Sequence, residues 1–142
     1  MRAHPVGALA IAAAALFAGC GRGDCKTQQP LARVCLPELA VPERELSLAA
    51  ADTCTSACNF VGMHCDAAID TDKRAIALTV LTTQCQQADG CVAVCVRHDV
   101  SCTVPPLQAG AWAVVANGLA AGTLQVGTGG TDGCTLPPGN LP

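Results

Sequence analysis

Aromatic and charged residues are scarce in this 142-residue chain. It has one Trp (Trp112), two Phe (Phe17 and Phe60) and no Tyr, so aromatic residues make up only 2% of the sequence. Charged residues make up 13%, about half of the quarter that is typical of soluble domains. We therefore expect a core of small side chains. The formal net charge of −3 argues against a nucleic-acid-binding protein.

Recognisable catalytic motifs are also lacking. There is no C-x-x-C redox motif, and none of the three serines lies in a G-x-S-x-G nucleophile motif. Asp70 and Asp72 resemble a carboxylate pair, but beside Lys73 and Arg74 they indicate a solvated turn. The sequence therefore predicts neither an enzyme nor a cofactor.

Cysteine, by contrast, is abundant. Eleven cysteines in so short a chain are typical of an exported disulfide scaffold and argue against a cytosolic enzyme. A zinc site can be drawn, because His64 adjoins Cys65 and His98 lies between Cys95 and Cys102. Export favours oxidation of these thiols, so we expect half-cystines, no metal, and histidines in exposed loops.

The first nineteen residues have the three zones of a signal peptide. Arg2 precedes an apolar stretch over residues 6–18, and small residues follow just ahead of Cys20. Thirteen residues in a helix span about 20 Å, less than the roughly 30 Å of a bilayer core. The pattern indicates a cleaved leader rather than a permanent membrane span.

The four residues Phe17-Ala18-Gly19-Cys20 resemble the lipobox of bacterial lipoproteins, although the family usually has Leu at the position of Phe17. This resemblance implies that Cys20 receives a diacylglycerol and that cleavage falls between Gly19 and Cys20. The partner implied is the lipid bilayer, bound through acyl chains. Gly21, where inner-membrane lipoproteins often carry Asp, implies the outer membrane.

Cysteine parity agrees with lipidation. If Cys20 carries lipid, the ten other cysteines can close five disulfides, in any of about 945 pairings. They are Cys25, Cys35, Cys54, Cys58, Cys65, Cys85, Cys91, Cys95, Cys102 and Cys134. The alternative is an ordinary secreted protein in which Cys20 is one more thiol and one cysteine is left over.

Two segments share the spacing C-x3-C-x6-C, Cys54–Cys65 and Cys91–Cys102. On helices the three sulfurs of each copy would share a face, which gives a disulfide-laced helical hairpin as one alternative. The alternation of Val92, Val94 and Val96 favours strands instead, as do Asn59 and Gly62, which are poor helix formers.

Other segments also predict short strands. Alternating apolar residues mark residues 43–48 and 75–83, and residues 66–69 can supply the hairpin partner of the latter. Asn117-Gly118 is a strong turn signal between residues 110–117 and a return strand over 122–127. The fold class predicted is mainly β, a small disulfide-rich β-sandwich. Residues 102–126, with a Pro-Leu-x-x-Gly corner, resemble the closing strands of Ig-like or fibronectin-like bacterial surface modules.

The predicted domain organisation has four parts: a signal peptide over 1–19, a lipidated flexible tether over 20–32, a disulfide-rich β domain over 33–127, and a Gly/Pro-rich tail over 128–142. We expect a disulfide of Cys134 to hold the tail against the β domain.

The function expected is that of a membrane-anchored cell-envelope lipoprotein with a non-enzymatic structural or binding role toward a protein or glycan. The alternative is an inhibitor-like module acting on a protease. In that alternative residues 96–101 form the docking loop and Arg97 is its anchor.

Overall fold

The computed structural model describes residues 24–52, 55–56, 58–86 and 94–136, and over these ranges the chain forms strands and no helix. The prediction of a mainly β, disulfide-rich fold is confirmed, and the helical hairpin is wrong for the described residues. The strands are β1 (Cys25–Gln28), β2 (Ala32–Val34), β3 (Leu46–Asp52), β4 (Thr55–Ser56), β5 (Phe60–Asp70), β6 (Ala75–Cys85), β7 (Cys95–Val96), β8 (Asp99–Val104), β9 (Gly110–Ala116), β10 (Leu119–Val126) and β11 (Gly133–Cys134).

The larger sheet is built around β6. Antiparallel β5 covers one edge of β6 along its whole length. Two strands share the other edge: β9 runs parallel to residues 75–78, and β1 runs antiparallel to residues 82–85. The turn at Asn117-Gly118 then leads into β10, which completes the sheet as a hairpin with β9. Both turn residues have positive φ, 47° and 81°, as the Asn-Gly signal predicts.

The second sheet is built around β3 in a similar way. Antiparallel β8 covers one edge of β3, whereas parallel β11 and antiparallel β2 share the other. The Cys35–Cys134 disulfide joins the end of β2 to β11 along this shared edge. Strands β4 and β7 form a separate two-stranded ribbon.

The core lies between the two sheets, where alternate side chains of each strand point inward. Leu46 and Leu48 of β3 and Ile76, Leu78 and Val80 of β6 are each exposed by 2% or less. Trp112, the one large aromatic side chain of the core, donates its indole N–H to the Gln108 carbonyl at 2.9 Å. The remaining core positions carry Leu107 and Leu124 together with small residues, Ala, Val and Cys.

The two sheets are joined by a disulfide on one open side of the sandwich and by main-chain bridges on the other. On one side the Cys65–Cys102 disulfide joins β5 of the larger sheet to β8 of the smaller one. On the other side Ala40 bridges both Val126, at the end of β10, and Thr131. The segment around Ala40 therefore connects the two sheets through main-chain hydrogen bonds.

The structure corrects one predicted boundary. Residues 25–28, assigned to a flexible tether, form β1, in which Cys25 lies opposite Cys85 and is bonded to it. The ordered sheet thus begins eight residues before Arg33. At the other end, Cys134 is bonded to Cys35, and β11 joins the tail to β3.

Candidate functional site

The first described residue, Asp24, lies at one end of the sandwich, which we call the N-terminal end. The strand registers bring the start of β1, the end of β6, the end of β3, the start of β5 and the start of β8 to this end. The opposite end, which we call the distal end, carries the turn over residues 71–74 and the loop over residues 105–109.

A polar groove of about 230 Å³, which we call the amide groove, lies at the N-terminal end. Main-chain bonds hold its walls together, since Gln86 N–H donates to the Asp24 carbonyl at 3.2 Å and Cys85 N–H donates to the Asn59 carbonyl at 2.8 Å. Its lining includes four side-chain amides and one ammonium group. The lining residues are Asp24, Lys26, Gln28, Asn59, Gln84, Cys85 and Gln86. Such a surface can donate to hydroxyl, carbonyl or phosphate oxygens, and its amide oxygens can accept from hydroxyl groups.

Asp52 and His98 join β3 to the loop before β8 at the same end. Asp52 is 2% exposed, and its Oδ1 accepts the His98 backbone N–H at 2.9 Å, while Asp52 N–H donates to the His98 carbonyl at 3.1 Å. The Phe60 ring stacks on the His98 ring with centroids 3.5 Å apart. His98 Nε2 is buried without a hydrogen-bond partner. The expectation of an exposed loop histidine is therefore wrong for His98.

Arg97 lies close to the surface of this loop. Its Nε contacts Asp99 Oδ1 at 3.1 Å, and its side chain is only 22% exposed. Because β7 ends at Val96 and β8 begins at Asp99, just two residues connect these strands. The segment predicted as an inhibitor loop is thus a tight connection, and its arginine is largely covered rather than projecting.

Three large apolar side chains are exposed at the N-terminal end. Val61 is 60% exposed, Val94 is 53% exposed and Val96 is 36% exposed. Val61 is the extra residue of a β-bulge, since its neighbours Phe60 and Gly62 pair with consecutive residues of β6. Val96 is the last residue of β7, and Val94 lies just before this strand.

A second groove, of about 570 Å³, follows the edge of the smaller sheet. It is lined by Glu45, Ser47, Asp132, Gly133, Cys134 and Thr135. The Ser47 hydroxyl is hydrogen-bonded to that of Ser101, and none of the lining residues is a histidine. The groove therefore presents two carboxylates beside its serine, but no histidine.

Every cysteine whose side chain the structure describes is disulfide-bonded. Cys25–Cys85, Cys35–Cys134 and Cys65–Cys102 are pairs, and Cys58 is also disulfide-bonded. Cys65 and Cys102 are the third cysteines of the two repeated motifs, so this bridge links equivalent positions. Gly19, Cys20, Cys54 and Cys91 lie outside the described residues, as does the side chain of Cys95.

Two cysteines of the hypothetical zinc site, Cys65 and Cys102, are not free thiols. Within the part of the chain that the structure describes, no three His, Cys, Asp or Glu side chains gather as metal ligands. Cys65 and Cys102 are bonded to each other, and His64 lies exposed on β5, where its Nε2 is 3.0 Å from Asp66 Oδ1.

The amide groove was not predicted from the sequence. Its residues come from β1, from the position just before β5 and from the end of β6, and these segments are far apart along the chain. Only the clustering of Gln, Asn and Lys around Cys25 and Cys85 could have indicated it, and that required knowing that these two cysteines pair.

Comparison with known proteins finds no matching family model, curated protein or solved structure. Over residues 24–52, 55–56, 58–86 and 94–136, no apolar helix reaches the length needed to span a membrane.

Proposed function

We propose that this chain is an exported bacterial lipoprotein, acylated on Cys20 and anchored to the outer membrane. Its β-sandwich has a non-enzymatic structural or binding role in the cell envelope. The observation that carries this proposal is the pairing of the cysteines.

The number of cysteines that pair supports the acylation of Cys20. Six described cysteines form three disulfides with one another, and Cys58 forms a disulfide with one further cysteine. If that partner is one of Cys54, Cys91 and Cys95, the remaining two can bond to each other. Cys20 is then the one cysteine left over, and it is the one that follows the lipobox-like sequence. Disulfides of this number also favour an oxidising compartment outside the cytoplasm.

The polar groove at the N-terminal end supports a binding role. Its side-chain amides can form paired hydrogen bonds with the hydroxyls of a glycan or with the main chain of a protein. The Cys25–Cys85 disulfide holds β1 against the end of β6, and both strands form its walls, so the groove needs little reorganisation before it binds.

Metabolic labelling with radioactive palmitate in a Gram-negative host tests the proposal. We expect the full chain to incorporate label and to fractionate with the outer membrane, and Cys20→Ala to lose the label. Cys134→Ala is the matched control, because it also removes a cysteine but lies outside the lipobox. Label retained by Cys20→Ala, or no label in the unmodified chain, would contradict the proposal.

A further inference from the structure

We propose that the N-terminal end of the sandwich lies against the lipid bilayer. Val61, Val94 and Val96 then enter the interfacial layer, and the amide groove binds lipid headgroups in place of the glycan or protein considered above. This inference depends on the acylation of Cys20 proposed above, and it adds the face of the protein that contacts the membrane.

The length of chain between the lipid and the fold is short. Four residue steps separate Cys20 from Asp24, and a fully extended chain covers at most about 14 Å over four steps. Asp24 is itself held in the fold, because its carbonyl accepts the Gln86 N–H and the next residue is bonded to Cys85. An acylated Cys20 therefore keeps the N-terminal end close to the membrane surface.

The distal end is too far away to share this contact in an upright molecule. The ten steps of β6 from Cys85 to Ala75 cover about 34 Å at the usual rise of a strand. The distal turn also carries the exposed ion pair between Asp70 and Lys73, whereas the Arg97 side chain of the ion pair at the N-terminal end is largely covered. Charged side chains of this kind favour water over the acyl region.

The surface of the N-terminal end suits a bilayer interface. Of the five large apolar side chains exposed among the described residues, Val61, Val94 and Val96 lie at this end. Next to them, the groove offers amide groups and the Lys26 ammonium, which can bond to the phosphate and ester oxygens of lipids. Apolar side chains beside hydrogen-bonding groups are the combination that interfacial binding requires.

Quenching by brominated lipids tests this orientation on the acylated full chain. The variants Val61→Trp and Val94→Trp each add one tryptophan at the N-terminal end. Leu119→Trp is the matched control, since Leu119 is 55% exposed but lies where β10 begins, beside the middle of β6. Trp112 is 2% exposed in the core and gives a constant background. Each variant is reconstituted in vesicles of phosphatidylethanolamine and phosphatidylglycerol with brominated phosphatidylcholine, and its intact mass is measured on the same sample.

We expect the brominated lipid to reduce the added emission by about half at position 61 or 94 and to leave that at position 119 nearly unchanged. Quenching at either position above that at 119 supports the proposal. If the protein is acylated but quenching at positions 61 and 94 equals that at 119, the orientation alone is wrong. The exposed valines would then form a surface for a protein partner. A mass without acyl chains overturns both the orientation and the lipoprotein assignment.

Discussion

The side-chain amide of Asn117 stands in for a strand residue opposite Val80. Asn117 Oδ1 accepts the Val80 N–H at 2.8 Å, and Asn117 Nδ2 donates to the Val80 carbonyl at 2.9 Å. The same Nδ2 donates to the Pro30 carbonyl at 2.8 Å. One side chain thus fills the gap on the edge of β6 between the end of β9 and the end of β1.

Replacing Asn117 by Gly should lower the free energy of unfolding by about 2–4 kcal/mol, because Val80 is fully buried and would lose partners for both its N–H and its carbonyl. Glycine suits the φ of 47° at this position, so the change tests the amide rather than backbone strain. Urea unfolding followed by Trp112 fluorescence, with disulfides intact, measures the difference.

The control for this variant is Gly118→Asn in the same turn. Asn tolerates positive φ, so we expect a loss below about 1 kcal/mol. A loss of less than about 0.5 kcal/mol for Asn117→Gly would mean that water replaces the amide at no cost, against the role assigned to it.

Removing the Cys65–Cys102 disulfide with paired Ala substitutions should destabilise the domain by about 2–5 kcal/mol. Cys102 is fully buried in the core, and the bridge joins the two sheets. The comparison is the paired Ala variant at Cys25 and Cys85, which frees only the exposed strand β1. We expect a smaller loss there, measured by the same urea unfolding.

Loop length alone gives the opposite order, because the bridges span 60 residues for Cys25–Cys85 and 37 for Cys65–Cys102. A larger loss for the Cys25–Cys85 variant would therefore show that unfolded-chain entropy, rather than burial and the link between sheets, decides the contribution of each bridge.

Asp70 should titrate below the usual range of aspartates. The Lys73 backbone N–H donates to Asp70 Oδ1 at 3.0 Å, and this hydrogen bond is the largest cause of the lowered pKa, followed by the Lys73 side chain. The folded state thus favours the ionised carboxylate. Any stability this gives is present above the usual pKa and is lost as pH falls through the lowered pKa.

Lys73→Ala separates the two causes, because it removes the ammonium but keeps the backbone N–H. An NMR pH titration of the Asp70 carboxyl carbon should give a pKa that rises in this variant yet stays below the usual value. A complete return to the usual value would assign the whole effect to the side chain and refute the order of causes.

Much of the fold could be predicted from local patterns. The alternation of Ile76, Leu78 and Val80 predicts a strand with one buried face, and β6 has that face in the core. Asn117-Gly118 predicts the β9–β10 hairpin because few other dipeptides accept positive φ at both positions. The polar turn at residues 70–74 also matches its prediction.

The remaining features depend on contacts between distant segments. All four residues of β1 are exposed, so the strand has no apolar period; it is held by main-chain pairing with β6 and by Cys85. His98 is half-buried because Phe60, far from it along the chain, covers its ring. The amide groove requires the same long-range pairing, which the sequence leaves open among many cysteine connectivities.

Intact-mass spectrometry of the protein extracted from membranes tests the central claim most directly. We predict a chain that begins at Cys20, carries the added mass of acyl groups, and has ten fewer hydrogens than the reduced form, as five disulfides require. A mass that begins at Met1, without acyl groups and with every cysteine as a free thiol, would contradict the account.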